Sequence, residues 1–236
     1  MNKTLLTLLI CFAGIQTAVL QAQEFQIGLK GGINKTFGGE ITGIDSGFPD
    51  KYTSDTFEAV GDIGYHGGLW VQVNFGKFFV RPEVVYSNLE STFEFQNYNS
   101  LYNIQELSVP VLVGYNIYGP VDIYVGMAYK NIIDATVEGN EPVTDTPQIV
   151  VQDTPLSAQI GAKVEFGSFG LDVRYDHSLS SKQVQELNFF NGGIYGINKA
   201  TFDDPRLNQL IVSLTIKLFD SENAGKKRRR GGNCYF

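Results

Sequence analysis

His66 and His177 are the only imidazoles in the 236-residue sequence, and beyond the first 22 residues the sole cysteine is Cys234. An enzyme built on this chain would need one of those rings, or a carboxylate, held beside a hydroxyl or thiol. Alternation of apolar and polar residues puts His66 and His177 on opposite faces of separate strands. Asp176-His177 is adjacent only in sequence, and no Gly-x-Ser-x-Gly elbow occurs. Only His66 beside a carboxylate and a hydroxyl would reopen a lipid-modifying reading. A lone cysteine makes neither an intrachain disulfide nor a multi-cysteine metal site. The carboxylates Asp45, Asp50, Asp55, Glu58, Asp62, Glu138, Glu141, Asp145, Asp153, Asp203 and Asp204 lack the alternate-ligand spacing of a calcium loop. They read as solvated, mobile loop surface, so the expectation is no catalytic residue, no metal and no cofactor.

Charge is where the chemistry concentrates. Lys30, Arg81, Glu83, Glu106, Asp122, Lys130, Lys163, Glu165, Asp172, Arg174, Asp176 and Lys217 each fall on the polar face of an alternating run, six cations against six anions. Arg81 with Glu83, Lys163 with Glu165 and Asp172 with Arg174 lie two residues apart, on one face of a strand, and can pair locally or across strands. In a narrow lumen such charges are costly unless paired. They therefore read as a plug that stabilises a barrel, the alternative being a path for ions or small solutes. A second concentration is Lys226, Lys227, Arg228, Arg229 and Arg230, in a chain whose formal charge is nevertheless −7. An acidic body with a basic end reads as a solubilising tail or as a periplasmic arm that docks on an acidic envelope protein or the cell wall. Nucleic acid is not expected as a partner of an exported chain.

The elements that must position these charges follow from the period-two pattern, which recurs in eight runs. Phe25, Ile27, Leu29 and Ile33 alternate with Gln26, Lys30 and Asn34. Leu107, Val109, Val111, Val113 and Tyr115 alternate with Glu106, Ser108 and Asn116. The remaining runs, near 65–75, 78–87, 121–130, 156–166, 169–176 and 209–218, behave alike. Tight turns at Gly76-Lys77, Tyr118-Gly119-Pro120 and Gly167-Ser168 alternate with long polar connections near 37–64, 90–103, 134–154 and 180–205. An even strand number with short and long connections in alternation predicts an all-β, eight-stranded antiparallel up-and-down transmembrane β-barrel. A soluble sandwich or lipocalin-like barrel also alternates. Aromatic residues at strand ends, among them Phe25, Phe78, Tyr115, Tyr129 and Phe169, favour two interfacial girdles and hence the membrane.

Residues 1–22 read as a secretory signal peptide, because Lys3 precedes the apolar run Leu5 to Ala13 and small residues lead to Ala22. That run is about half the ~20 residues a spanning helix needs. The expected division is signal peptide 1–22, outer-membrane barrel 23–220 and basic periplasmic tail 221–236, in a Gram-negative outer membrane with both termini periplasmic. The final strand ends in the aromatic Phe219, as the signal recognised by barrel assembly machinery commonly does. Glu106-Leu107-Ser108-Val109-Pro110-Val111-Leu112-Val113-Gly114-Tyr115 resembles the Leu-x-Ile-Pro-Leu-Leu-x-x-Tyr strand of the PorT-like family of small outer-membrane barrels. Similar segments are Phe25-x-Ile-Gly-x-Lys-Gly-Gly-x-Asn, Gly161 to Phe166 and Leu171 to Tyr175. The resemblance implies the barrel fold but scarcely a function; one branch of that family acts in protein secretion and gliding. Its partners would be outer-membrane lipid, the assembly machinery and an envelope protein. The functional expectation is a non-enzymatic structural or interaction barrel, with a subunit of an envelope, secretion or assembly complex as one form of that role, the alternative being a narrow porin for small solutes.

Overall fold

A computed structural model describes residues 24–44, 55–140, 149–189 and 192–224. The signal segment 1–22 and the cations Lys226 to Arg230 lie outside the described residues, as do Asp45, Asp50, Glu141 and Asp145. In chain order the strands are β1 (Glu24–Phe37), β2 (Glu40–Ile44), β3 (Thr56–Gly61), β4 (Ile63–Phe75), β5 (Phe78–Glu94), β6 (Asn99–Tyr118), β7 (Val121–Val137), β8 (Leu156–Phe166), β9 (Phe169–Ser178), β10 (Gln185–Asn188), β11 (Lys199–Asp204) and β12 (Asn208–Asp220). Two single-turn helices, α1 (Gly192–Tyr195) and α2 (Ser221–Ala224), complete the described elements.

Eight of the strands close into a ring. β1 pairs with β12 and β4, and the circuit continues β4–β5–β6–β7–β8–β9–β12, every neighbour antiparallel. Three two-residue turns join strands at one end, where Phe75 faces Phe78, Tyr118 faces Val121 and Phe166 faces Phe169. The first residue of each turn, Gly76, Gly119 or Gly167, has φ between 55° and 66°. This left-handed conformation matches the turn to the twist of the strands and favours glycine. Along β6 the exposed side chains Leu107, Val109, Val111, Val113 and Tyr115 alternate with inward ones without a break. The eight residue-to-residue steps from Leu107 to Tyr115, at about 3.3 Å each and tilted by about 40°, cover about 20 Å. That nearly matches the ~25 Å apolar band of a membrane barrel.

At the other end, the described residues of 37–64, 90–103, 134–154 and 180–205 correct their reading as solvated, mobile connections. β5 and β6 continue as a paired hairpin to Glu94 and Asn99. β3 joins β5 through Ala59 opposite Phe93, and β2, β11 and β10 follow in order. A bridge between Asn140 and Phe189 returns the sheet to the chain just after β7. Enclosed by these strands is an apolar core that includes Ile41, Leu89, Phe93, Phe95, Tyr102, Ile104, Leu187, Phe189, Phe202 and Leu207. The physical cause is visible along β5, where the inward residues run Arg81, Glu83, Val85, Ser87, Leu89, Ser91 and Phe93. Parity is unchanged while the inward chemistry passes from charged to apolar. In β7 a register shift opposite Gln105 and Glu106 re-aims the chain, so that Lys130 and, beyond it, Ala135 and Val137 all face inward.

Candidate functional site

The lumen of the ring is lined by a network in three layers. In the middle, Glu83 receives Lys30 Nζ at 3.0 Å and a two-pronged contact from Arg174, Nη1 to Oε2 at 3.0 Å and Nη2 to Oε1 at 3.1 Å. Arg81 Nε lies 2.9 Å from Glu83 Oε1, and its guanidinium stacks 4.2 Å above the Trp70 ring. Tyr124 donates its hydroxyl to Asp172 at 2.8 Å and accepts from Arg174 Nε at 3.1 Å, while Arg174 Nη2 reaches Asp172 at 3.6 Å. Arg81, Arg174 and Asp172 are each at most 1% exposed. Trp70 reaches across the backbone of β1 and donates to the Leu29 carbonyl at 3.0 Å. Only a glycine fits beneath it, because a Cβ on Gly28 would lie 2.3 Å from the indole.

Towards the short-turn end, Lys163 contacts Glu165 at 2.6 Å and Asp122 at 3.2 Å, and donates to Gln72 at 2.7 Å. Lys217 reaches Glu165 at 3.1 Å from a half-buried position. Towards the long-loop end, Lys130 joins Asp176 at 2.7 Å and Glu106 at 3.5 Å. Asp176 also accepts from Ser157 and Gln159, and Glu106 from Gln209. Gln159 Oε1 in turn accepts from Arg174 at 3.0 Å, tying the upper layer to the middle one. The structure therefore brings all twelve named charges into this lumen network. Its uncharged members, Trp70, Tyr124, Gln159, Gln72 and Gln209, share the strand parity of the charges, so alternation already places them on the polar face. Sequence reasoning named only the charges as a network.

His66 lies among these groups, with Nε2 2.8 Å from the Ser213 hydroxyl. A histidine beside a serine is half of a nucleophilic arrangement. The other half is missing, since His66 Nδ1 has no hydrogen-bond partner and no carboxylate orients the ring. Ser213 is fully buried, whereas His177 points outward beside Tyr175. No group of three or more His, Cys, Asp or Glu among the described residues has the arrangement to hold a metal ion.

Outside the ring, the long connections are tied together by polar contacts. Asp153 accepts the hydroxyls of Ser180 at 2.5 Å and Ser181 at 2.6 Å, and the Ser181 amide at 3.1 Å. The hydroxyl donors, Ser180 foremost, hold its carboxyl well below the usual carboxylate range. Arg206 grips Asp204 with two nitrogens, at 2.8 and 2.7 Å, and also donates to the Ser180 carbonyl. Burial alone would raise the pKa of Asp204, but the hydrogen bonds from Arg206 outweigh it and hold the group below its ordinary value.

A closed ring of eight antiparallel strands with an apolar exterior and an ion-paired interior defines a membrane β-barrel. The chain belongs to the family described as outer membrane protein beta-barrel domain, which matches residues 21–182. It is an outer-membrane protein. Among solved structures it is similar to the crystal structure of the outer membrane protein OprG from Pseudomonas aeruginosa, at 16% identity and a TM-score of 0.47, over 84% of this chain and 96% of that one. No curated protein matches the chain.

Proposed function

We propose that this protein is a closed, non-enzymatic barrel with a structural or interaction role in the outer membrane, making its contacts at its ends rather than through its lumen. The observation that carries this reading is the double filling of the interior. An ion-paired network occupies the membrane section, and an apolar core sits above it. The width of an eight-stranded barrel supports it too, because side chains alone fill such an interior. His66 and Ser213 are read as structural, consistent with their burial.

Glu24 and Asp220 lie at the short-turn end. Outer-membrane barrels keep short turns on the periplasmic side, so we place both termini there and the folded long-loop end outside. The Glu106 to Tyr115 segment supports membership of the PorT-like family of small barrels; a place in an envelope, secretion or assembly complex is the interaction role we propose. With that orientation the charge of Lys226 to Arg230 suits an acidic periplasmic partner, its plainer role being a solubilising tail.

The second reading is a narrow porin, favoured by the continuous polar lining from Lys217 to Lys130. Planar-bilayer recording separates the two. Purified barrel is expected to add no conductance, and stable, reproducible steps would establish the porin instead.

A further inference from the structure

An open cavity of about 510 Å³ lies on the outer side of the long-loop end, between the β5–β6 hairpin and the end of β7. It is lined by Thr92, Asn97, Tyr98, Asn99, Leu101 and Glu138. Nothing in the lumen network or the apolar core explains this grouping. Tyr98 is 54% exposed yet is braced from one side by Tyr195, edge-on at 5.7 Å and 83°. The backbone of Glu138 is fixed by its own amide, which donates to the Leu101 carbonyl at 2.8 Å, and by Ser100 Oγ, which donates to its carbonyl at 2.6 Å. Thr92 is oriented by donating its hydroxyl to Asp62 at 2.5 Å. The cavity is thus a preformed concavity with one aromatic face, one aliphatic side chain, two carboxamides and one carboxylate.

That composition selects a ligand class. An alkyl chain would desolvate the carboxamides and the carboxylate without replacing their hydrogen bonds. A phosphate or other anion would meet Glu138 with no lysine or arginine among the lining residues. A pyranose ring suits both halves, because its C–H face packs on an aromatic ring while its hydroxyl rim exchanges hydrogen bonds with amides and a carboxylate. We propose that this cavity binds a neutral or amino-sugar unit of a cell-surface glycan. Tyr98 supplies the platform, Asn97 and Asn99 the donors and acceptors, and Glu138 the acceptor for hydroxyl or ammonium groups. Access to such a glycan in the cell rests on the long-loop end facing outwards, but not on closure of the lumen. The sugar could be free or carried by a glycolipid of the membrane itself.

Saturation-transfer NMR on the full barrel in phosphatidylcholine nanodiscs tests the site with three probes: maltotriose, the chitosan trimer and core oligosaccharide released from lipopolysaccharide. Transfer to ring C–H protons of at least one probe is expected, weakened at least tenfold in Tyr98→Ala. Glu138→Gln is expected to weaken the chitosan trimer more than maltotriose. Both side chains are exposed, and heat-modifiable gel mobility verifies that the variants remain folded. Transfer to the trisaccharides assigns a free glycan, and transfer to the released core alone assigns the glycolipid. No transfer to any of the three, or transfer undiminished in Tyr98→Ala, overturns the proposal. Nanodiscs leave both ends accessible, so such a failure is distinct from a wrong orientation, which surface labelling of intact cells reads.

Discussion

Glu83 is the single anion on which Lys30, Arg81 and Arg174 converge, and its side chain is fully buried. Breaking a buried ion pair from one side leaves uncompensated charge and costs about 3–5 kcal/mol. Glu83→Gln is therefore expected to lower stability by about that much in urea titrations of the barrel in lipid. Trp70 serves as the reporter because it is the only tryptophan and touches Arg81. Lys217→Gln, at the half-buried edge of the same network, is expected to cost less than about 1 kcal/mol. Equal losses in the two variants would remove Glu83 from the centre of the network. Asp153 gives the residue scale a pH dependence. Its folded value is depressed, so its contribution is fully present above the unfolded carboxylate value of about 4 and vanishes as pH falls through the lower folded one. The protection of the Ser181 amide, relative to its intrinsic exchange rate, should therefore be the same at pH 5 and at neutral pH and be lost at both in Asp153→Ala; protection retained in that variant would mean that Ser181 is held by something else.

At the scale of elements, the ring strands were legible because lipid on one side and paired charge on the other impose a strict two-residue alternation. Leu107 to Tyr115 carries it without interruption. The cap at the long-loop end was not read from the sequence, because β2, β3, β10 and β11 are only four to six residues long and both of their environments are mixed. A signal was nonetheless present in β5, where Phe93 keeps the inward parity of Arg81 and Glu83 after the polar residues end. The lumen charges themselves were legible from parity, whereas the three-way sharing of Glu83 was not, since it depends on which strands close the ring. Phe93 touches Phe95, Tyr102 and Phe202, ring centre to ring centre at 5.8–6.1 Å. Phe93→Ala is expected to cost about 3–5 kcal/mol. Because those contacts lie above the ring, the loss of amide protection in hydrogen exchange should be confined to β2, β3, β10, β11 and the β5–β6 tip. Deprotection spreading into β8, β9 and β12 would mean that cap and ring unfold as one unit.

For the whole molecule, the proposed closed barrel makes the cap and the network two barriers in series, of different chemistry, along one axis. Ions cross an apolar core poorly because they lose hydration there, and they cross an ion-paired network poorly because fixed partners already fill the space. Resistances in series add, so removing one barrier leaves the other in control of the current. Phe93→Ala, which loosens the cap, is expected to remain silent in planar bilayers. Glu83→Ala/Arg174→Ala removes a mutually paired anion and cation from the middle layer, leaves the network's net charge unchanged, and should also be silent beneath an intact cap. Only the triple variant is expected to show steps, because both the apolar constriction and the two-pronged bridge across the lumen are then gone. Conductance in the double variant alone would mean that the cap does not seal the lumen. Conductance in Phe93→Ala alone would mean that the charged layers already admit ions, and that the cap by itself makes the barrel a closed one.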